Sequence, residues 1–211
     1  MRRKGLLLVI SGFSGAGKGT LVKSLVKEYD NYALSISMTT RAPRPGEEDG
    51  REYFFVDKEQ FETKISENGL IEHACYCGNY YGTPRDYVEK MLDEGKDVIL
   101  EIEIQGAMEI KHKIPNAILL FVAPPSAEEL KRRLVNRGTE TKEVIDRRLS
   151  RAYEESLGIE KYDYLVINDK LEECVHELHS IVQAAHNAPS RNKDFINQIR
   201  EELKGFSKGE E

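Results

Sequence analysis

The chain of 211 residues has few of the features that would place it outside a reducing, aqueous compartment. No stretch approaches the ~20 consecutive apolar residues of a membrane span. The start, Met1-Arg2-Arg3-Lys4-Gly5, imitates the charged region of a signal peptide. The apolar run that follows, Leu6–Ile10, is shorter than the roughly 7–15 residues such a signal needs. Cysteine is scarce: Cys75 and Cys77 lie two apart and Cys174 is distant, so no disulfide framework is expected. Cys75-Tyr76-Cys77 has no second His/Cys pair to complete a metal site, which leaves ordinary thiols. There is no excess of positive charge; the net charge is −6, so no global field attracts nucleic acid. Internal repeats and low-complexity runs are also missing. These absences predict a cytoplasmic protein of one domain with insertions, with neither nucleic acid nor membrane as a partner.

What is present is an alternation of strand-like and helix-like segments. Leu6–Ile10, Asp97–Ile104, Ala117–Val122 and Tyr164–Ile167 read as buried strands. Ser126 is placed to cap a helix over Ala127–Arg137, with Glu129 three residues on. A second helix follows Asp169, with Leu171, Cys174, Val175, Leu178, Ile181, Val182 and Ala185 at helical spacing. This order predicts an α/β fold with a parallel β-sheet core flanked by helices. Two stretches break it. Residues 38–90, rich in Arg, Gly, Pro and Tyr, read as an inserted lobe, and residues 137–160, with Arg137, Arg147, Arg148 and Arg151, read as a mobile lid. The core is then 1–37, 91–136 and 161–186. In the polar tail, 187–211, Phe195, Ile196, Ile199 and Leu203 line one face of an expected short docked helix.

Between the first strand and its helix lies Gly12-Phe13-Ser14-Gly15-Ala16-Gly17-Lys18-Gly19-Thr20. The pattern G-x-x-x-x-G-K after a strand and before a helix is that of a loop whose N–H groups wrap a nucleotide polyphosphate. Lys18 adds a mobile point charge. The usual Ser/Thr directly after the lysine is replaced by Gly19, with Thr20 one later. Such a loop serves GTPases, ATPases, motors and small kinases alike, so the acceptor must be read elsewhere.

Ser37-Met38-Thr39-Thr40-Arg41-Ala42-Pro43-Arg44-Pro45-Gly46-Glu47 supplies that information. Arg41 and Arg44 are three apart, and the prolines restrict the backbone around them. Two guanidinium forks held this way suit a phosphate. With Tyr53-x-Phe55-Val56, Gly78-Asn79-Tyr80-Tyr81-Gly82, Gln105-Gly106, Ala123-Pro124-Pro125-Ser126 and Arg137-Gly138-Thr139-Glu140, the set strongly resembles guanylate kinases, from about Leu6 to Ala185.

The resemblance implies a P-loop kinase fold with an inserted nucleotide-monophosphate lobe and a lid, and the reaction ATP + GMP ⇌ ADP + GDP with Mg2+ accompanying ATP. It implies that Arg41, Arg44, Tyr53 and Tyr81 hold the GMP phosphate, that Ser37, Glu72, Thr83 and Glu103 face guanine, and that Lys18, Arg41, Arg137 and Arg148 act on the transferred group. It assigns no protein metal ligand. The acid at 103 is commonly aspartate in the family; here it is one methylene longer. Glu72 makes chemical sense, because guanine offers N–H donors at N1 and the 2-amino group, and a carboxylate only accepts. No general base is required, since a phosphate monoester has its second pKa near ~6. Three other readings follow from the same residues: a scaffold module of this fold binding phosphopeptides, a kinase acting on a ribosyl bisphosphate, and a nucleic-acid binder. The intact Lys18, the base-facing Glu72 with Tyr80-Tyr81-Gly82-Thr83, and the net charge argue against them in turn.

Overall fold

The computed structural model describes residues 3–76, 78–136 and 141–207. The apolar run at the start forms β1 (Leu7–Gly12), and its side chains are buried because helices cover both faces of the sheet. The order continues α1 (Lys18–Glu28), β2 (Tyr32–Leu34), β3 (Ser37–Thr39), β4 (Tyr53–Phe55), α2 (Lys58–Ser66), β5 (Leu70–Tyr76), β6 (Asn79–Pro84), α3 (Arg85–Asp93) and β7 (Asp97–Glu101). Then come α4 (Ile104–Lys113), β8 (Ile118–Ala123), α5 (Ala127–Asn136), α6 (Lys142–Ser156), β9 (Tyr164–Ile167), α7 (Leu171–His186) and α8 (Lys193–Ser207).

Five strands make a parallel sheet in the order β2-β7-β1-β8-β9. β1 lies between β7 and β8, so the chain leaves its carboxyl end at a topological switch point, where α/β sheets bind ligands. The core under one face joins Leu7 and Val9 of β1, Val98 and Leu100 of β7, Ala107 and Ile110 of α4, and Leu119 of β8. Ile71 of β5 reaches into the same cluster and ties the second sheet to it. That sheet, ordered β4-β3-β6-β5, pairs β3 with β4 in parallel and β6 with β3 and β5 antiparallel. It has its own small core of Met38, Phe61 and Leu70. Asp57 closes a capping box with Gln60 at the start of α2, which fixes that helix under the sheet. A third cluster, Leu130, Leu134, Ile145 and Ala152 with Phe13 and Leu149, joins α5, α6 and the loop after β1.

By compactness the chain divides into Met1–Val175 and His176–Glu211. In the second unit Asn192 Nδ2 donates to the carbonyls of His186 and Ala188, and Ile196 N–H returns to the Asn192 carbonyl, so one side chain turns the backbone into α8. Among the described residues no helix is long and apolar enough to cross a membrane.

One element is shorter than its sequence pattern. The run Asp97–Ile104 predicts a single strand, but β7 ends at Glu101 and Ile104 already opens α4. Ile102 N–H still reaches the Ile10 carbonyl at 3.3 Å, and Ser11 Oγ donates to the Ile102 carbonyl at 2.9 Å. Glu103 then takes the N-cap position of α4. β1 runs on to Gly12 after β7 has ended, so the start of α4 at Glu103, not β propensity, decides where the strand stops.

Asp97 anchors the other end of β7. Its carboxylate is buried and accepts from Leu6 N–H at 2.8 Å and from Asn31 Nδ2 at 2.9 Å. Asp97→Ala is expected to lower unfolding free energy by about 2–3 kcal/mol, the worth of charge-assisted hydrogen bonds plus an orphaned N–H. Urea denaturation midpoints of the variant and the parent chain check this.

Candidate active site

The loop after β1 turns on two glycines that cannot carry a side chain. Gly12 has φ 153° and a Cβ there would lie 2.1 Å from the Val122 carbonyl oxygen; Gly17, at φ 90°, would meet Asn168 Nδ2 at 2.5 Å. The left-handed backbone turns successive N–H groups inward, as an anion nest requires. Gly17 caps α1 without any side-chain bond, and no acid stands in the first turn, so the helix presents uncompensated N–H groups to the loop interior. Lys18 bends over the rim, with Nζ donating to the carbonyls of Gly12 at 2.7 Å and Phe13 at 3.1 Å. The Phe13 ring stacks edge-on against Phe121 at 5.0 Å, which fixes the loop to β8. Thr20 is exposed in the first turn of α1.

The outside of the loop is clamped. Arg133 Nη1 and Asn168 Nδ2 both donate to the Ala16 carbonyl, at 3.2 and 2.8 Å, and Arg133 Nη2 donates to the Asn168 carbonyl at 2.8 Å. Glu129 holds Arg133 Nε at 2.6 Å and also binds Arg132, and the two guanidinium groups pull its carboxyl down to about 2. A polar cleft of about 450 Å³ opens here, lined by Pro125, Glu129, Arg132, Arg133, Asn136 and Asp169.

The predicted phosphate-holding residues converge only in part. Arg41 sits just after β3, its guanidinium over the rings of Tyr53 (5.3 Å) and Phe55 (5.8 Å). Tyr81 of β6 meets Tyr53 edge-on at 6.1 Å, and its hydroxyl adds to the bonds that raise the Arg41 pKa. The first cause of that rise is Glu47, which takes Arg41 Nη2 on both oxygens at 3.0 and 2.9 Å. Glu47 in turn accepts the Arg44 backbone N–H at 2.8 Å, and this bond, then Arg41, lowers its own pKa. The Arg44 guanidinium is exposed and lends charge to this group from outside.

The predicted base-facing residues form a second group. Thr83 Oγ1, buried on β6, donates to Glu72 Oε1 of β5 at 2.7 Å. The other Glu72 oxygen, Oε2, lies 3.8 Å from where a Cβ on Gly106 would stand, so the missing side chain leaves room beside it. Glu103 is at the N-cap of the same helix, α4, and Ser37 begins β3 in register with Tyr53. Burial pushes the Glu72 carboxyl above the usual carboxylate range, with the Thr83 bond acting against it.

One member of each group, Tyr53 and Glu103, shares a cavity with the loop. One cavity of about 600 Å³ is lined by Gly12, Ser14 and Lys18, by Tyr53, by Glu101–Ile104, and by Arg148, Arg151 and Glu155 of α6. Arg148 Nη1 donates to Ser14 Oγ at 2.8 Å. Arg137 lies outside the described residues. Among the described residues no cluster of three or more His, Cys, Asp or Glu could hold a metal ion. Glu101, at the carboxyl end of β7, has Oε2 at 3.7 Å from the position of a Cβ on Gly19, where phosphate loops usually carry a hydroxyl residue.

Sequence reasoning did not single out Glu101, Arg133 or Asn168, and it gave Glu47 and Arg151, named in the arginine turn and the lid, no partner. Glu101 and Asn168 could have been found, since each ends an apolar strand on the side where a parallel sheet binds ligands. Arg133 follows Glu129 by four residues, a helical ion-pair spacing. Arg151 precedes Glu155 by the same spacing, but its bond to Glu103 and the Arg41–Glu47 pair are set by another helix and by a turn.

Comparison with known proteins adds to this geometry. The family model described as guanylate kinase matches residues 4–185. A guanylate kinase of Caldanaerobacter subterraneus is 48% identical over 202 residues, covering 96% of this chain and 98% of that protein. One from Clostridium tetani is 51% identical over 193 residues, 92% of each chain. The crystal structure of guanylate kinase from Anaplasma phagocytophilum superposes with a TM-score of 0.69 at 34% identity, covering 90% of each chain.

The position of Glu72 has a consequence for stability. Its pKa is raised in the folded chain, so the fold favours the neutral carboxyl. That preference is fully present below the unfolded-state pKa and is lost as pH rises through the folded one. Glu72→Gln, neutral at every pH, is therefore expected to melt at a higher temperature than the parent at pH 8, with the difference shrinking toward pH 4. Thermal melts at the two pH values check it.

Proposed function

The chain belongs to the guanylate kinase family, and from that premise we propose how its side chains carry out the transfer. It is an ATP:GMP phosphotransferase, giving ADP and GDP. One observation carries the residue assignment: a single cavity holds the phosphate loop with Lys18 on one wall and Tyr53 and Glu103 of the acceptor set on the other.

The polyphosphate of ATP is assigned to Gly12–Thr20, its charge met by the N–H groups of the nest and by Lys18. The nucleoside end runs toward the polar cleft beside Arg133 and Asp169. GMP places its phosphate on Arg41, Arg44, Tyr53 and Tyr81. Glu47 takes Arg41 Nη2 on both oxygens and the Ala42 carbonyl takes Nη1, so the guanidinium is already oriented and less order has to be imposed on binding. Glu72 accepts hydrogen bonds from the guanine N1–H and 2-amino group, held by Thr83, with Ser37 and Glu103 flanking the base. Adenine would present an acceptor at N1 and leave the partly buried carboxylate unpaired, a mismatch that can reject the wrong base by roughly 10⁴-fold.

The attacking oxygen belongs to GMP and is largely ionised at neutral pH, so the protein need not remove a proton. What it must do is hold two polyanions in line and exclude water. Arg148 spans this gap from α6, already bonded to Ser14 of the loop. Arg137 is assigned the same task from its place in the family motif.

Magnesium fits the residues present. The carboxylate of Glu101, a hard oxygen donor beside Gly19, would hold the ion together with the ATP phosphates and waters. Bound there, the ion would withdraw charge from the phosphates. The substrates are charged nucleotides that do not cross membranes unaided, which supports a cytoplasmic location.

Lys18→Ala is expected to lower kcat by roughly 10²-fold or more, as loss of a preorganised charge does. Glu72→Gln should raise KM for GMP by about 10- to 100-fold, because a charged hydrogen bond is worth about 1.5–3 kcal/mol, while KM for ATP stays put. An ADP-release assay across GMP, dGMP, AMP, CMP and UMP measures both. Full turnover by Lys18→Ala, or an unaltered KM for GMP in Glu72→Gln, would overturn these roles.

A further inference from the structure

Arg148, Arg151 and Glu155 follow one another on α6 at spacings of three and four, which puts them on one helix face. Arg148 reaches the phosphate loop. One turn later, Arg151 Nη2 donates to Glu103 Oε2 at 2.7 Å, and its Nε donates to Glu155 Oε1 at 3.0 Å. Glu155 has only 20% of its side chain exposed, so it fixes the plane of the guanidinium. The same helix therefore touches the loop assigned to ATP and an acid assigned to guanine.

We propose that Arg151 is a positioning residue that selects for a purine 2-amino group by holding Glu103, and so ties the seating of α6 to occupancy of the base site. The proposal rests on Glu103 facing guanine. Glutamate at this position is one methylene longer than aspartate, and its side chain is 69% exposed. Left alone it would sample several rotamers, and ordering it on binding would cost affinity. Arg151 binds Oε2, and the carboxylate keeps capacity for a further donor within its four acceptor sites. The pair is open to water and screened by salt, so it works as a latch that opens readily and not as a fixed strut.

The test compares GMP with inosine monophosphate, which lacks the 2-amino group, in Arg151→Ala, Arg151→Lys, Glu103→Ala and the double variant Arg151→Ala/Glu103→Ala. Arg151→Ala is expected to raise KM for GMP about three- to tenfold, the range of coupled neighbours, with KM for ATP unchanged and little loss toward inosine monophosphate. Arg151→Lys should recover part of the preference. In the Glu103→Ala background the Arg151 effect should vanish. Equal losses toward both acceptors, or an Arg151 effect that persists without Glu103, would overturn the proposal. If Glu103→Ala shifts the GMP preference and Arg151→Ala does not, the latch alone is wrong. If Glu103→Ala leaves the preference untouched, the guanine role of Glu103 is wrong and the latch falls with it.

Discussion

The left-handed turn at the carboxyl end of β1 governs the geometry of the whole active site. Gly12 passes so close to the Val122 carbonyl that no side chain is possible, and Gly17 does the same against Asn168. Both contacts exist because β1 is flanked by β8 on one side and because β9 delivers Asn168 behind the loop. A nest of N–H groups has little affinity for phosphate unless it is held open, and the Arg133–Asn168 clamp on the Ala16 carbonyl holds this one from outside. Anion binding here is a property of the sheet as much as of the loop.

A second constraint is charge. The chain is acidic overall, yet it must draw two polyanions into one cavity. It does so by giving cations near the site a defined partner: Arg41 with Glu47, Arg133 with Glu129, Arg151 with Glu103 and Glu155, Lys18 with loop carbonyls. Each cation is thereby oriented in advance, an arrangement that suits catalysis by positioning. Glu72 is the opposite case, a carboxylate held by Thr83 in a place where burial is unfavourable to its charge.

Much of this was legible before folding. The glycine pattern 12–17 with Lys18 between an apolar strand and a helix, and the Arg41–Glu47 turn, are local features whose chemistry follows from composition and spacing. The parallel sheet followed from apolar runs too continuous to be half-exposed. The strand predicted through Ile104 was overextended, because Ile102 and Ile104 favour β structure locally while Glu103 already caps α4, two residues after Glu101 pairs with Ile10.

The amino-acid order alone determined the phosphate loop, the arginine turn and the alternation that builds a parallel sheet, since these depend on interactions within a few residues or on burial along one segment. The tertiary structure decided which carboxylate meets which cation. Arg151 lies 48 positions from Glu103, and Arg133 lies 117 from Ala16. No periodicity encodes such pairings; they arise only when packing of α5 and α6 against the loop after β1 brings distant side chains within hydrogen-bond reach.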